Sequence, residues 1–270
     1  MKLHFYKFQG AGNDFVIIDG RALMPQLSQK EIHYLCNRRF GIGADGLMVI
    51  GNSPGVDFGM RYYNANGKEG SMCGNGGRCL VAYAANRKSG RFLFSAVDGN
   101  HHAEVMGYDG HEALVCLGMN NVDKVDVYGS DGYYLDTGSP HLVLFGTDVA
   151  KMDVPKEGAF WRNHPDFMPG GTNVNFVEIE PDGKLFVRTY ERGVEDETLA
   201  CGTGVTAAAI AAYMRSMDKT QNKPEERHHY AIQTLGGHLQ VSFQAKAASF
   251  CDVRLTGPAT FVFEGEIELL

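Results

Sequence analysis

Apolar positions along this chain recur with a period of two more often than with the helical period of 3.6. Segments 58–62, 91–96, 103–106, 113–117 and 133–135 read as short strands, and Asn66-Gly67, Asp98-Gly99, Asp109-Gly110 and Asp131-Gly132 lie among them as turn signals. The pattern resumes over 175–179, 185–190, 230–234, 239–243 and 261–267, with Asp182-Gly183 and Gly236-Gly237 as further turns. Three stretches break it as helices. Ser28-Gln29-Lys30-Glu31 has the form of a capping box, after which Ile32, Leu35 and Cys36 fall on one face. The other two helices resemble each other: Cys73-Gly74-Asn75-Gly76-Gly77 opens into an apolar run over 78–85, and Cys201-Gly202-Thr203-Gly204 into an alanine-rich run over 205–212. The two cysteines are separated by about half the chain, which suggests a duplication. The expected fold class is α+β: two pseudo-symmetric domains, each a strand-rich, barrel-like sheet around a central helix.

Composition narrows the function classes. The chain has 270 residues, 44% of them apolar and 21% charged, as in an ordinary globular protein. Glycine supplies 34 residues, well above the usual share of roughly 7%, in keeping with many tight turns or a backbone packed closely on a ligand. A formal charge of −7 argues against a nucleic-acid groove, which concentrates Lys and Arg. The opening Met1-Lys2-Leu3-His4-Phe5-Tyr6-Lys7 lacks the apolar core of a secretion signal, and the longest apolar stretch, 205–214, is short of the roughly 18 residues of a membrane span. The six cysteines are scattered and form no C-x-x-C pair, so neither a disulfide scaffold nor a structural zinc site is expected. A cytoplasmic setting with free thiols follows as the expectation, with no membrane partner.

The repeated Cys-Gly-x-Gly is the chemical signal. A cysteine just before a helix N-terminus lies at the positive end of the macrodipole, beside backbone N–H groups with no partner in the helix; both favour thiolate. Those N–H groups also suit a carboxylate. A single copy reads equally well as a tight turn with a small cap residue; two copies feeding apolar helices shift the balance to chemistry. Thiol proteases need one cysteine with a histidine, and disulfide oxidoreductases hold both cysteines in one C-x-x-C. Inverting a stereocentre needs a base on one face of a carbon and an acid on the other, and one thiol from each half, facing across a cleft, meets that need.

On these motifs the chain resembles the diaminopimelate epimerase family, cofactor-independent enzymes that interconvert the LL and meso forms of diaminopimelate in lysine and cell-wall precursor biosynthesis. The resemblance runs nearly end to end: Gly10-Ala11-Gly12-Asn13-Asp14-Phe15, Gly41-Ile42-Gly43-Ala44-Asp45-Gly46, Tyr63-Asn64-Ala65-Asn66-Gly67, Met72-Cys73-Gly74-Asn75-Gly76-Gly77-Arg78-Cys79, Gly138-Ser139-Pro140-His141, Asn173-Val174-Asn175-Phe176, Tyr190-Glu191-Arg192-Gly193 and Glu197-Thr198-Leu199-Ala200-Cys201-Gly202-Thr203-Gly204. It implies that Cys73 and Cys201 are acid/base thiols, Cys73 the proton donor and Cys201 the acceptor in one direction. Gly74, Asn75, Gly202 and Thr203 are implied to offer N–H groups to the carboxylate at the reacting centre. Glu191, Arg192, Asn13, Asn64 and Asn173 are implied to bind the rest of the substrate, while His141 and Glu191 tune the thiols, a protonated imidazole favouring thiolate. The resemblance implies no metal and no organic cofactor, a homodimer, an N-terminal domain over 1–120 completed by 258–270, a C-terminal domain over 121–257, and an active site in the cleft between them. Gly46 stands where some members carry Gln, and Ser139 where many carry Asn.

Other residues have duller readings. Cys36 and Cys79 on apolar helix faces, and Cys116 and Cys251 in strands, read as core. His101-His102 and His228-His229 read as surface pairs, and Trp161 as the cover of a core edge. Two alternatives stay open at this level. One is a proline- or hydroxyproline-type racemase or a related isomerase of the same superfamily, separable by a substrate panel. The other is a non-catalytic, amino-acid-binding, redox-sensing thiol protein, separable by its failure to exchange an α-proton.

Overall fold

The computed structural model describes residues 2–217, 226–246 and 249–269. The chain divides into two compact units, Met1–Leu117 with Gly257–Leu270, and Gly118–Thr256. The breaks therefore follow Leu117 and Thr256, where the resemblance implies them after Asn120 and Gly257.

In the first unit, β1 (Lys2–Gly10) and β2 (Asn13–Asp19) form an antiparallel hairpin. Its turn holds Ala11 and Gly12 at φ of 52° and 81°. Helix α1 (Gln29–Cys36) then carries the chain to β3 (Gly46–Gly51), which pairs parallel with β2. The expected capping box is present: the Ser28 side chain accepts from the Glu31 N–H, and the Glu31 carboxylate accepts from the Ser28 N–H. Ile32, Leu35 and Cys36 are buried against Val16, Ile18, Leu47 and Val49. Strand β4 (Phe58–Asn64) pairs antiparallel with β3 and with the short β5 (Glu69–Gly70). After α2 (Gly74–Ala85), β6 (Gly90–Ala96) pairs parallel with β4, and β7 (Gly99–Asp109) and β8 (Glu112–Gly118) follow as a meander. The C-terminal residues 257–268 pair antiparallel with β8 on one side and β1 on the other, closing an eight-stranded barrel. Helix α2 packs on β1, β2, β3 and β7, with Cys79, Leu80 and Val81 fully buried.

The second unit repeats this order. Strands β9 (Val125–Tyr128), β10 (Gly132–Asp136) and β11 (Pro140–Phe145) run antiparallel in succession. Helix α3 (Val154–Arg162) leads to β12 (Asn173–Ile179), parallel to β11, and β13 (Leu185–Glu191) returns antiparallel. Beyond β14 (Asp196–Thr198) lies α4 (Gly202–Met217), then β15 (Arg227–Thr234), parallel to β13, and β16 (Gly237–Lys246). Strand β17 (Ser249–Glu268) pairs with β16 through its first residues and supplies the closing strand of the first barrel through its later ones. Residues 119–122 bond to β17 at Val253 and Phe250, the counterpart in this unit of that closing segment. The fold is thus α+β, with strands predominating and a buried helix, α2 or α4, in each unit.

Several expectations change. Helix α3 was not among the three expected: Pro155 occupies its first turn, Asp153 caps it by accepting from the Lys156 N–H at 3.3 Å, and only Val154 and Gly158 are buried, too few to mark a stripe. Of the histidine pairs, His102 and His229 are exposed, as the alternation of a strand requires of one member. His101 is instead buried, stacked on Phe94 with ring centroids 5.3 Å apart and 3.2 Å from Asp98 Oδ1, and His228 is half-buried against Tyr213. Cys36 and Cys79 are core residues, and burial pushes each thiol up to about 12. Cys116 and Cys251 are only half-buried, because each sits on a strand position that alternates with the core-facing ones. Among the described residues no cysteine is joined in a disulfide. Among the described residues no helix is long and apolar enough to cross a membrane.

Candidate active site

In the first unit the β1–β2 turn places Asn13 at the start of β2, and Cys73 is the N-cap of α2, extended at φ −87° and ψ 124°. The Cys73 thiol donates to Asn13 Oδ1 across 3.8 Å, and Asn75 Nδ2 donates to the same oxygen at 3.4 Å. Asn13 Nδ2 donates to Asp45 Oδ2 at 2.6 Å. On the other side, Asn75 Oδ1 accepts from Arg78 at 2.8 Å, and Arg78 also donates to the Gly74 and Pro258 carbonyls at 3.3 and 3.4 Å. Arg78 is fully buried, which disfavours its charge and lowers its pKa. Behind Asn13, Asp14 pairs with Lys7 at 2.7 Å and with Arg38 at 2.6 Å. Burial opposes ionisation of Asp14, yet the hydrogen bonds from Arg38 and Lys7 outweigh it and hold the carboxyl well below its usual range.

The structure brings Asn13, Cys73, Gly74 and Asn75 into this one network. Asn64 has its own partners, at the mouth of the turn that the sequence predicts: its N–H donates to Lys68 O at 2.9 Å, its carbonyl accepts from Gly67, and its side-chain oxygen accepts from the Tyr62 hydroxyl at 3.3 Å. Gly46 pairs with Asn64 on the neighbouring strand, and a Cβ there would lie 2.6 Å from the Tyr62 ring. The room that a side chain at 46 would need is therefore taken by Tyr62.

In the second unit the thiol meets different partners. Cys201 is buried; its sulfur accepts from the Gly204 N–H at 3.4 Å and lies 3.4 Å from Thr203 Oγ1. Thr203 Oγ1 is 2.9 Å from His141 Nε2, and Ser139 Oγ is 3.0 Å from the same nitrogen. Asn175 Nδ2 donates to His141 Nδ1 at 3.1 Å, which leaves the ring hydrogen on Nε2. With Nε2–H directed to the hydroxyls, the Thr203 O–H is free to donate to the Cys201 sulfur. His141 is fully buried, and desolvation, with the charge of Arg192 adding to it, pushes its pKa down to about 3. The imidazole is thus neutral, and the protonated form expected beside a thiolate is not the one this site supports.

The chain of contacts continues from Ser139. Asn173 Nδ2 donates to Ser139 Oγ at 3.2 Å and to Pro140 O at 2.9 Å, and its Oδ1 accepts from the Arg192 N–H at 2.9 Å. The Arg192 guanidinium donates to Gly170 O at 3.1 Å. Glu191 Oε1 accepts from Thr198 Oγ1 at 2.5 Å. The carbonyl of Gly202 accepts from the Thr206 hydroxyl one turn on. Cys201, Thr203, His141, Asn173 and Arg192 are therefore hydrogen-bonded in series, with Ser139 as a link.

The motif glycines serve packing as well as any ligand. A Cβ on Gly204 would lie 2.3 Å from Asn175 Oδ1 and 3.2 Å from Cys201 Cβ; one on Gly76 would lie 3.0 Å from Met48 Sδ. Sequence reasoning missed Asp45, Arg78 and Asn175 as members of the two networks, and it noted Ser139 without placing it among the site residues. Asn175 carried a usable signal: Asn173 and Asn175 are two apart on a strand, so both face the same side.

The family model described as diaminopimelate epimerase matches residues 5–124 and 133–262. A protein of that name from Flavobacterium psychrophilum is 46% identical over 99% of this chain and 100% of its own. Another, from Chlorobaculum tepidum, is 38% identical over 96% of this chain and 99% of its own. Among solved structures, a PhzF-family phenazine biosynthesis protein from Bacillus anthracis superposes with a TM-score of 0.73 at 12% identity, covering 100% of both chains. A hydroxyproline epimerase from Agrobacterium vitis superposes with a TM-score of 0.69 at 14% identity, over 99% of this chain and 93% of its own. At that identity the two structures speak for the fold alone. With its sequence matched over almost the whole length and both cysteine-headed helices in place, the chain belongs to the diaminopimelate epimerase family.

Proposed function

We propose that this protein epimerises LL-2,6-diaminopimelate to the meso isomer, with Cys73 and Cys201 as its two proton-transferring thiols. The observation that carries the reading is the recurrence of a cysteine at the head of a buried helix in both units of a chain that belongs to this family. In one direction the Cys201 thiolate removes the α-hydrogen as a proton, and the Cys73 thiol delivers a proton to the opposite face of the same carbon. One C–H bond breaks, one forms, and the thiol and thiolate exchange roles; no electrons leave the substrate. What each sulfur meets supports the roles that the family resemblance implies. Cys73 donates to a carbonyl oxygen, which favours S–H, whereas Cys201 accepts from an N–H and faces a hydroxyl, which favours thiolate.

The N–H groups of Gly74, Asn75, Gly202 and Thr203 at the two helix starts suit the α-carboxylate, where charge accumulates as the proton leaves. Arg192 and Glu191 offer charge to the distant ammonium and carboxylate groups, with Asn13 and Asn64 as polar contacts. Asn173, whose amide is engaged with Pro140, Ser139 and Arg192, holds Arg192 in place. His141 acts on Cys201 through Thr203. The same reading makes the protein a cytoplasmic homodimer whose product enters lysine and peptidoglycan precursor biosynthesis.

The test is solvent deuterium incorporation. Reduced protein incubated with LL-diaminopimelate in deuterium oxide is expected to label the α-carbon, and C73A and C201A each to abolish turnover. Full activity in either variant, or labelling of proline or hydroxyproline in place of diaminopimelate, overturns the proposal.

A further inference from the structure

We propose that Asp45 and Arg78 are positioning residues for Cys73: a carboxylate at one end and a buried guanidinium at the other hold Asn13 and Asn75 head to tail, so that Asn13 turns its carbonyl oxygen, and not its NH2, to the thiol. The proposal rests on the reading of Cys73 as a proton-transferring thiol. A primary amide has two ends of nearly the same shape and opposite hydrogen-bonding sense, so the side chain of Asn13 alone does not decide which end meets the sulfur. The network decides it. Arg78 donates to Asn75 Oδ1 at 2.8 Å, Asn75 Nδ2 to Asn13 Oδ1 at 3.4 Å, and Asn13 Nδ2 to Asp45 Oδ2 at 2.6 Å. Every donor in the series points the same way. Rotating Asn13 by half a turn would set its oxygen against the Asp45 carboxylate and its NH2 against the NH2 of Asn75. The short contacts are those made to the charged ends, as charge assistance requires.

Arg78 is a costly residue at a position with no exposure. Among the described residues it forms no ion pair with a carboxylate, and its partners are the Asn75 side chain and two backbone carbonyls. An apolar side chain would fill such a site at less expense, so packing alone does not explain a guanidinium there. Asp45 is itself held by Arg38 at 2.6 Å and by the Asp14 N–H at 3.2 Å. The charged groups facing this network are Arg78 from α2, Asp45, Asp14, Arg38 and Lys7 from the strands and loops around Asn13, and Asp98, which accepts from the Met72 N–H at 3.4 Å beside His101. A carbonyl oxygen facing the sulfur keeps the proton on Cys73, ready for delivery.

The test is peptide-resolved iodoacetamide labelling of the full chain from neutral to alkaline pH, in wild type, D45N, D45A, D45E and R78M. In D45N the substituted amide accepts or donates equally well, so one of the two restraints on Asn13 is lost, its NH2 turns to the sulfur in a larger share of molecules, and the thiolate gains a donor. Cys73 is expected to be alkylated about tenfold faster near neutral pH, as for a shift of one unit, with its half-point moved to lower pH. D45A is expected to act in the same direction, and D45E, which retains a carboxylate, to stay near wild type. The Cys201 profile is expected to be unchanged in each, which separates a local effect from general loosening. A folded D45N and D45A with the wild-type Cys73 profile overturns the proposal even if R78M fails to fold. The readout needs no turnover: absence of α-proton exchange in the wild type would instead refute the epimerase reading.

Discussion

A single residue, His141, shows how burial decides chemistry in this protein. Its imidazole is fully buried, accepts at Nδ1 from Asn175 and reaches two hydroxyls through Nε2. Desolvation lowers its pKa from 6.5 to about 3. An unfolded chain therefore binds one more proton than the folded chain as the pH falls from 6.5 towards 3, and stability drops through that window. H141N removes the titrating group. Its urea-unfolding free energy is expected to be lower than wild type near neutral pH, because the partners of the ring are left unsatisfied. Its slope against pH is expected to be flatter by close to one proton, at most about 1.4 kcal/mol per pH unit. Equal slopes in the two proteins would place the acid sensitivity elsewhere.

Among the elements, the two cysteine-headed helices depend on how closely their first turns seat. Gly204 leaves no room for a methyl group between α4 and Asn175, whose amide in turn fixes the His141 ring. In G204A the first turn of α4 or the Asn175 side chain has to shift. The epimerisation rate is expected to fall by about 10²-fold, the cost of a displacement near 1 Å at reacting groups, with far-UV circular dichroism unchanged. Activity within twofold of wild type would show that the seat tolerates the methyl group. These helices were legible in the sequence because a Cys-Gly-x-Gly turn precedes an apolar run twice over, and α1 because its cap and its apolar spacing agree. Strands β2 and β3 were not, because Phe15-Val16-Ile17-Ile18 and Leu47-Met48-Val49-Ile50 are buried throughout and carry no alternation. Within the candidate site the cysteines were legible from repetition and the binding residues only from family resemblance. Asp45 was not legible, since it acts through a hydrogen bond to Asn13, whose proximity only the folded chain reveals, and Arg78 was not, since a cation on an apolar helix gives no sign that it is fully buried.

For the whole chain, the two units share one order of elements, yet only the second, Gly118–Thr256, is one uninterrupted length of sequence. The order hairpin, helix, parallel strand, return strand, short strand, buried helix and meander occurs once from β1 to β8 and again from β10 to β17. In the first unit the strand that closes the barrel comes from the far end of the chain. Residues 257–260 pair with Val115 to Glu112 on β8, and residues 260–268 pair with Gln9 to Lys2 on β1. Phe261 packs on Phe8 and His111, and the Pro258 carbonyl accepts from the buried Arg78. Removing this segment exposes two strand edges at once and opens the barrel around α2. A chain ending at Thr256 keeps the pairing of β16 with residues 249–256. Hydrogen exchange is expected to show loss of protection in β1, β8 and α2 and retention in β12 and β13, together with loss of epimerase activity because the Cys73 network rests on α2. Slow exchange of the β1 and α2 amides in the truncated chain, equal to that in the full-length protein, would mean that the first barrel stands without its last strand and that the C-terminal segment serves some other end.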